Sequence, residues 1–519
     1  MSDGLSNNKR IAKNTILLYF RMFFMMVVSL YTSRIVLDTL GVVDYGIYNV
    51  VGSVITLFTF VSSAMGNATS RYITYTLGTG NKENLKSVFN TALIIHIILA
   101  VIIMILGETI GLWFLNTHMT IPLERLEAAN WLYQFTIIST MAAIVNVPFM
   151  SEIISHERMS AFAYLSILDV LLKLLIVYVL TLTSFDKLIF YASMMLCIYL
   201  IDIAVYWVYC KCNFPETKLC LTWNKGLFKD MTAFAGWSLI GNMMWIGYTQ
   251  GLNILLNIFC GPAVNAARGI AIQVQGAVKG FVTNFQMAVN PQIIKAYAQD
   301  DLNRVKELIF SSSKFSFFLL LCLSLPIIVE ADHILGIWLI DVPNHAVNFV
   351  ILTLVMLLNT PLENPIGTSN NATGDIRNYQ IVVGSIAMFI IILGYQFLKL
   401  GFAPEWVFVE QFIIVSLLLI VKVYMVHRKI QLRMMEYMKK VFFPVWGAAI
   451  ISAIPSIVIR LFVSSSFVSL LLNVPITIVS VLMCAYTIGL NAPERIIVKN
   501  VVQKASNRIL KNNGLKSVE

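Results

Sequence analysis

Charge is scarce in this sequence. Asp, Glu, Lys and Arg make up 12% of its 519 residues, about half of what a soluble globular chain carries. That excludes a water-soluble enzyme or regulatory domain of this length. Acidic residues are scarcer than basic ones, 27 against 37, which leaves a net charge of +10. The basic residues stand between apolar runs rather than in one patch, so membrane topology explains them better than a nucleic-acid partner does. Cysteine is sparse and scattered, at Cys197, Cys210, Cys212, Cys220, Cys260, Cys322 and Cys484. The group at 210–220 has the spacing of no zinc site, and reduced thiols are expected. Long hydrophilic loops are missing too. The longest connection on the side expected to face outward covers residues 116–126, which leaves no room for a soluble domain. Paired external carboxylates, a nucleophile elbow, a phosphate-cradling loop and a metal cluster are all absent from the sequence. No enzyme is expected, and no catalytic residue, metal or cofactor.

What remains is apolar sequence: 58% hydrophobic residues and a mean hydropathy of +0.78. At ~20 apolar residues per crossing, fourteen transmembrane helices are expected, an all-α integral membrane protein. Their approximate limits are 14–38, 45–66, 87–115, 127–150, 160–182, 188–210, 232–259, 266–290, 312–340, 346–366, 379–400, 405–427, 441–463 and 466–489. The first run is long enough to span and is followed by no small-residue cleavage site, so it is read as a helix and not a cleaved signal. With the N-terminus inside, 27 of the 37 Lys and Arg fall on the cytoplasmic side, six at external ends and four within spans. This bias predicts both termini in the cytoplasm.

The chain also repeats. Tyr31-Thr32, Gly41 and a second span recur as Tyr248-Thr249, Gly261 and a second span, and Gly111-Leu112-Trp113-Phe114-Leu115 recurs as Gly336-Ile337-Trp338-Leu339-Ile340. Residues 1–218 and 219–435 therefore read as two pseudo-symmetric six-helix bundles, 436–490 as two added helices, and 491–519 as a basic amphipathic tail, either a helix on the inner leaflet or a solvated positive segment. A parallel repeat of this kind places a binding site between the halves.

Four expected spans carry polar stripes. On the eighth, Arg268, Gln275, Lys279, Thr283, Gln286 and Asn290 fall within a sector of roughly 80° at about 100° per residue. Asn49, Ser53, Thr56, Ser63 and Asn67 do so on the second, and Ser238, Asn242, Thr249, Asn253 and Asn257 on the seventh. The first carries Asn14, Arg21 and Thr32. One such stripe is ordinary interhelical glue. Four at repeat-related positions indicate a wet cavity. The cations Arg21, Arg34, Arg268 and Lys279 suggest an anionic group in it, since Arg suits phosphate bidentately and Lys supplies a point charge. Arg34 has an alternative partner in Asp38 at i,i+4. Asp169 and Lys173, at i,i+4 within hydrocarbon, either neutralise each other or couple a proton or Na+. Glu363 and Asp202 are weaker candidates, and Lys422, near a span end, is expected to snorkel to the surface.

Lys13-Asn14-Thr15, then Ser29-Leu30-Tyr31-Thr32-Ser33-Arg34-Ile35-Val36-Leu37, then Leu40-Gly41-Val42-Val43-Asp44-Tyr45-Gly46-Ile47-Tyr48-Asn49-Val50-Val51-Gly52 strongly resemble bacterial Wzx-type polysaccharide (O-antigen, lipopolysaccharide repeat-unit) flippases of the multidrug/oligosaccharidyl-lipid/polysaccharide exporter superfamily. The resemblance is most specific over about the first 115 residues. It implies alternating access in the bacterial cytoplasmic (inner) membrane. The implied cargo is an undecaprenyl-pyrophosphate-linked oligosaccharide, moved from inner to outer leaflet by a monomer working beside polysaccharide assembly machinery. It further implies that arginines on the first and eighth helices hold the pyrophosphate, with Arg21, Arg34 and Arg268 as the matching positions, and that the last two helices form a groove for the polyprenyl tail. The expected ligands are thus the lipid-linked glycan and membrane lipids, with no nucleic acid. Two other readings stand beside it: a multidrug cation antiporter of the same superfamily, and a polyprenyl-dependent glycosyltransferase or polymerase.

Overall fold

The computed structural model describes residues 2–118, 121–218, 224–339, 342–462, 466–496 and 498–499; some side chains within its helices, Arg34 and Asn49 among them, lie outside the description. The described residues are helical nearly throughout and contain no strand. The first half consists of α1 (Ser2–Thr79), α2 (Lys82–Leu106) running through a π-helical turn into α3 (Leu112–His118), α4 (Leu126–Ser155), α5 (Met159–Leu182) and α6 (Lys187–Asn213). The second half consists of α7 (Lys225–Cys260), α8 (Pro262–Ala298), α9 (Leu302–Val329) with α10 (Ala331–Trp338), α11 (Ala346–Leu357) with α12 (Thr360–Thr373), α13 (Arg377–Lys399) and α14 (Glu405–Ile430). Two more crossings follow, Met434–Phe462, made of the short α15 (Met434–Tyr437), a π-helical turn and α16 (Phe443–Phe462), and Val468–Gly489, led by α17 (Ser466–Cys484).

Among the described residues, ten helices are long and apolar enough to cross a membrane. Helices α7 and α8 fall outside that set, because their polar stripes displace apolar side chains. Large apolar residues are exposed on the outer faces, for example Leu171, Tyr178 and Leu182 on α5 and Ile450, Ile454 and Leu461 on α16. In a helix whose backbone groups are internally satisfied, such a belt is what lipid requires.

The repeat is written into the backbone. Gly41 bends α1 into two arms at φ 77, and Gly261 parts α7 from α8 at φ 81. Left-handed residues also recur at the next junctions, Gly80 with Asp300 and Glu157 with Gly374. Asn81 caps α2 by accepting from the Asn84 amide, as Asp301 caps α9 by accepting from the Arg304 amide. Each cap satisfies a first-turn donor.

At the end away from the basic loops, Arg125 bridges Asp44 and Asp186, each at 2.5 Å. The guanidinium holds the Asp186 carboxyl below its usual range. At the basic end, fully buried Lys314 of α9 pairs with Glu494 at 2.9 Å and docks the start of the tail to the bundle. The rest of the expected amphipathic tail, from residue 500 onward, lies outside the described residues.

Candidate functional site

A cavity of about 820 Å³ lies between the halves. The second arm of α1 contributes Ser63 and Asn67, α4 Thr140 and Ser151, α8 Thr283, Gln286 and Asn290, and α12 Asn364 and Thr368. The stripes of α1 and α8 account for their own share of the lining, since i, i+3, i+4 and i+7 positions share a face. Asn364 Nδ2 donates to Gln286 Oε1 at 2.8 Å, and Thr368 Oγ1 to Asn290 Oδ1 at 3.2 Å. The polar groups of the wall are mostly amides and hydroxyls, set among apolar side chains such as Ile144, Val147, Met150, Met287 and Ile294. Its acid, Glu363, bonds to Lys422 from α14, and both are buried. Lys422 therefore does not snorkel. A carboxylate already stands within reach of its amine, and bringing the amine to water would leave that carboxylate alone in the wall. Glu363 keeps one oxygen, Oε1, without a partner.

The other residues singled out in the sequence are dispersed. Arg21 donates to Ser166 Oγ at 3.0 Å and stacks 4.4 Å over the Phe162 ring, inside the first half. Arg268 is 4% exposed, donates to the Thr249 carbonyl at 3.2 Å and lies over Phe408, inside the second half. Two of its nitrogens, Nε and Nη1, have no partner. Lys279 is exposed on the α8 stripe, one turn from Thr283, and Gln275 is half-buried beside it. Neither arginine belongs to the cavity lining, so the cations do not converge on one point in this conformation. Asn67 lines the cavity, Asn242 is half-buried, and Asn253 donates to Gln250 Oε1 at 3.0 Å. Asp169 and Lys173 form an ion pair at 2.8 Å, with the lysine also 5.5 Å from the Tyr199 ring. Arg34 and Asn49 lie outside the described side chains, so the Arg34–Asp38 pairing does too.

The sequence reading missed the α4 and α12 contributions. Asn364 and Thr368 form an i,i+4 polar pair in the least apolar span, a signal that was available. It also missed the contacts that join the halves at the basic end. Arg71 donates to the carbonyls of Asn371 and Ala372 at 3.2 and 2.9 Å and stacks on Tyr72 and Tyr75. Lys295 of α8 meets Glu157 at 2.9 Å, and Gln292 donates to the same carboxylate at 3.1 Å. Tyr72 packs edge-on against Phe234, and Tyr19 lies tilted against Phe281. Toward the other end, the apolar cluster running from Val36 to Ile198 contains no residue of the second half. There Phe23, Val27 and Tyr31 on α1 and Ile272 on α8 are exposed. Among the described residues, then, the halves are locked at the basic end and part toward the other.

Residues 18–179 match the family model MatE. The chain has the fold of MATE transporters. It aligns with a crystal structure of a mutant MATE at TM-score 0.71 and 16% identity, covering 82% of this chain and 96% of that one. An outward-facing multidrug resistance MATE family transporter of the MOP superfamily aligns at TM-score 0.69, with the same identity and coverages. A MOP superfamily transporter from Pyrococcus furiosus, described as having a binding pocket of reverse polarity that suggests a different function, aligns at TM-score 0.68 and 17% identity, covering 82% of this chain and 96% of that one. No curated protein matches the chain significantly.

Proposed function

We propose that the protein is an alternating-access flippase. Its cargo is an undecaprenyl-pyrophosphate-linked oligosaccharide, moved from the inner to the outer leaflet of a bacterial inner membrane. The observation that carries this reading is the chemistry of the cavity wall. Amides and hydroxyls from α1, α4, α8 and α12 face one space, and its carboxylate is neutralised by Lys422. Such a wall can bond to sugar hydroxyls as both donor and acceptor. It offers no net negative charge to hold a lipophilic cation, which counts against the multidrug antiporter reading. Lys279 continues the same α8 face one turn beyond the cavity, where the halves part, and is placed to meet the pyrophosphate as a point charge. Arg21 and Arg268 would join it only after the helices around them move. Coupling to a proton or Na+, where transport uses one, is proposed at Asp169, whose pairing with Lys173 such an ion would compete with. The inside-negative potential favours outward movement of an anion even without a coupling ion. The protein would work as a monomer, with the polysaccharide assembly machinery taking up the cargo, and with no catalytic, metal or cofactor role in transport itself.

The test is flipping of a fluorescent undecaprenyl-pyrophosphate saccharide in proteoliposomes. Wild type should flip it, Lys279→Ala should lose at least tenfold in rate, and Asn67→Leu should do likewise without losing the folded protein. Export of lipophilic cations by wild type, with no flipping, would replace this reading with the antiporter.

A further inference from the structure

Where α4 turns into α5 at the basic end, three chelating groups meet that the transport reading does not use. Glu152 in the last turn of α4 and His156, the residue that caps its C-terminus, stand at i,i+4, the spacing that brings two side chains together. Glu216 arrives from the short turn Pro215–Thr217 after α6. His156 Nε2 lies 3.0 Å from Glu152 Oε1 and 2.7 Å from Glu216 Oε1, and the three donor atoms all fall within 4.8 Å of one another. Glu152 is 0% exposed, and its second oxygen, Oε2, has no partner. The Phe214 ring stacks on the imidazole at 4.3 Å and fixes its plane.

One imidazole nitrogen carries at most one proton. It cannot saturate two carboxylates, and here it leaves a fully buried carboxylate oxygen bare. Buried charges are normally paired or bound to metal. Two carboxylate oxygens and one imidazole nitrogen form a mixed O/N set that suits late first-row divalent ions better than Mg²⁺ or Ca²⁺, which favour all-oxygen shells. Bonds of ~2.0–2.1 Å at tetrahedral angles separate ligand atoms by roughly 3.3 Å, so the two spacings to His156 Nε2, 3.0 and 2.7 Å, need to open only slightly. Three protein ligands leave a fourth position for water.

We propose that Glu152, His156 and Glu216 form a binding site for a divalent transition-metal cation of the Zn²⁺ class. Its place in the fold gives the site a consequence. The next residue, Glu157, sits at φ 58 and carries its carboxylate to Lys295 and Gln292 of the other half, while its carbonyl accepts from Asn14. A bound ion would rigidify the turn that presents Glu157 and so strengthen the closed basic end. This inference does not depend on the cargo.

The experiment is zinc binding to the purified full-length protein in detergent, with any affinity tag removed, by calorimetry and by metal content after gel filtration. Wild type should hold one equivalent of Zn²⁺, and Co²⁺ in its place should give the visible absorption of a tetrahedral site. His156→Ala should lose that equivalent, and Glu216→Gln should weaken it at least tenfold while remaining monodisperse. Should His156→Ala fail to fold, Glu216→Gln and the Co²⁺ spectrum decide alone. No binding by wild type, or undiminished binding by Glu216→Gln, would overturn the site and leave a proton-bridged ion pair.

Discussion

Lys422 sits near the end of an apolar run, and its four-carbon stem is long enough to reach water. Which way it points is decided by Glu363, 59 residues away in sequence, whose carboxylate lies in the cavity wall. The pair is worth little as net stabilisation, but removing one partner strands the other's charge, at a cost of about 3–5 kcal/mol. Lys422→Met should lower unfolding stability in detergent by that order, and adding Glu363→Gln to it should recover most of the loss. Equal losses in the single and double mutants would show that Glu363 does not need its partner. The same logic governs Arg21 and Arg268. Periodicity places them on helical faces, but Ser166, Phe162, Thr249 and Phe408 decide what those faces meet.

Among the elements, the bends of the repeat are the clearest case of sequence dictating shape. At Gly41, φ is 77, and an added Cβ would meet nothing within 4 Å. The site is therefore spacious, and the need for glycine is purely a matter of backbone conformation. Gly41→Val should cost about 1–3 kcal/mol through that conformation alone, read as a lower melting temperature. Gly261→Val at the equivalent bend should behave alike, since an added Cβ there also meets nothing within 4 Å. An unchanged melting temperature in both would mean that the surrounding helices, not the glycines, impose the bends. Helix existence and approximate limits were legible because they follow from local hydrophobic periodicity. The observed helices run a turn or more past several expected ends, as in α8, which reaches Ala298 beyond the expected limit at residue 290. In α8 those extra turns still bury Ile293 and Ala296 in the apolar core, but Gln292 and Lys295 interrupt the run and lower its hydropathy.

For the whole molecule, the halves are held at the basic end by Glu157 with Lys295 and Gln292, and by Arg71 on two carbonyls about 300 residues away. A ligand or mutation shifts such an equilibrium only through interactions that differ between its states. Glu157 and Lys295 touch across the halves, so Lys295→Ala should favour separation of the basic end. Spin labels at positions 79 and 299, both exposed, should report a longer distance population in that variant. An unchanged distance distribution would mean that Arg71 and the apolar contacts suffice to hold the end shut.

By itself the sequence determined the membrane setting, the helical class, the two-fold repeat, and the α1 and α8 polar faces that line the cavity. Each of these depends on the order of neighbouring residues along the chain, or on a pattern that recurs within it. Tertiary structure alone decided that Asn364 and Thr368 meet Gln286 and Asn290, that Glu363 silences Lys422, that the arginines lie within separate halves, and that one end is closed. Those outcomes depend on which helix faces are packed together, and residues tens to hundreds of positions apart have their distances set by that packing.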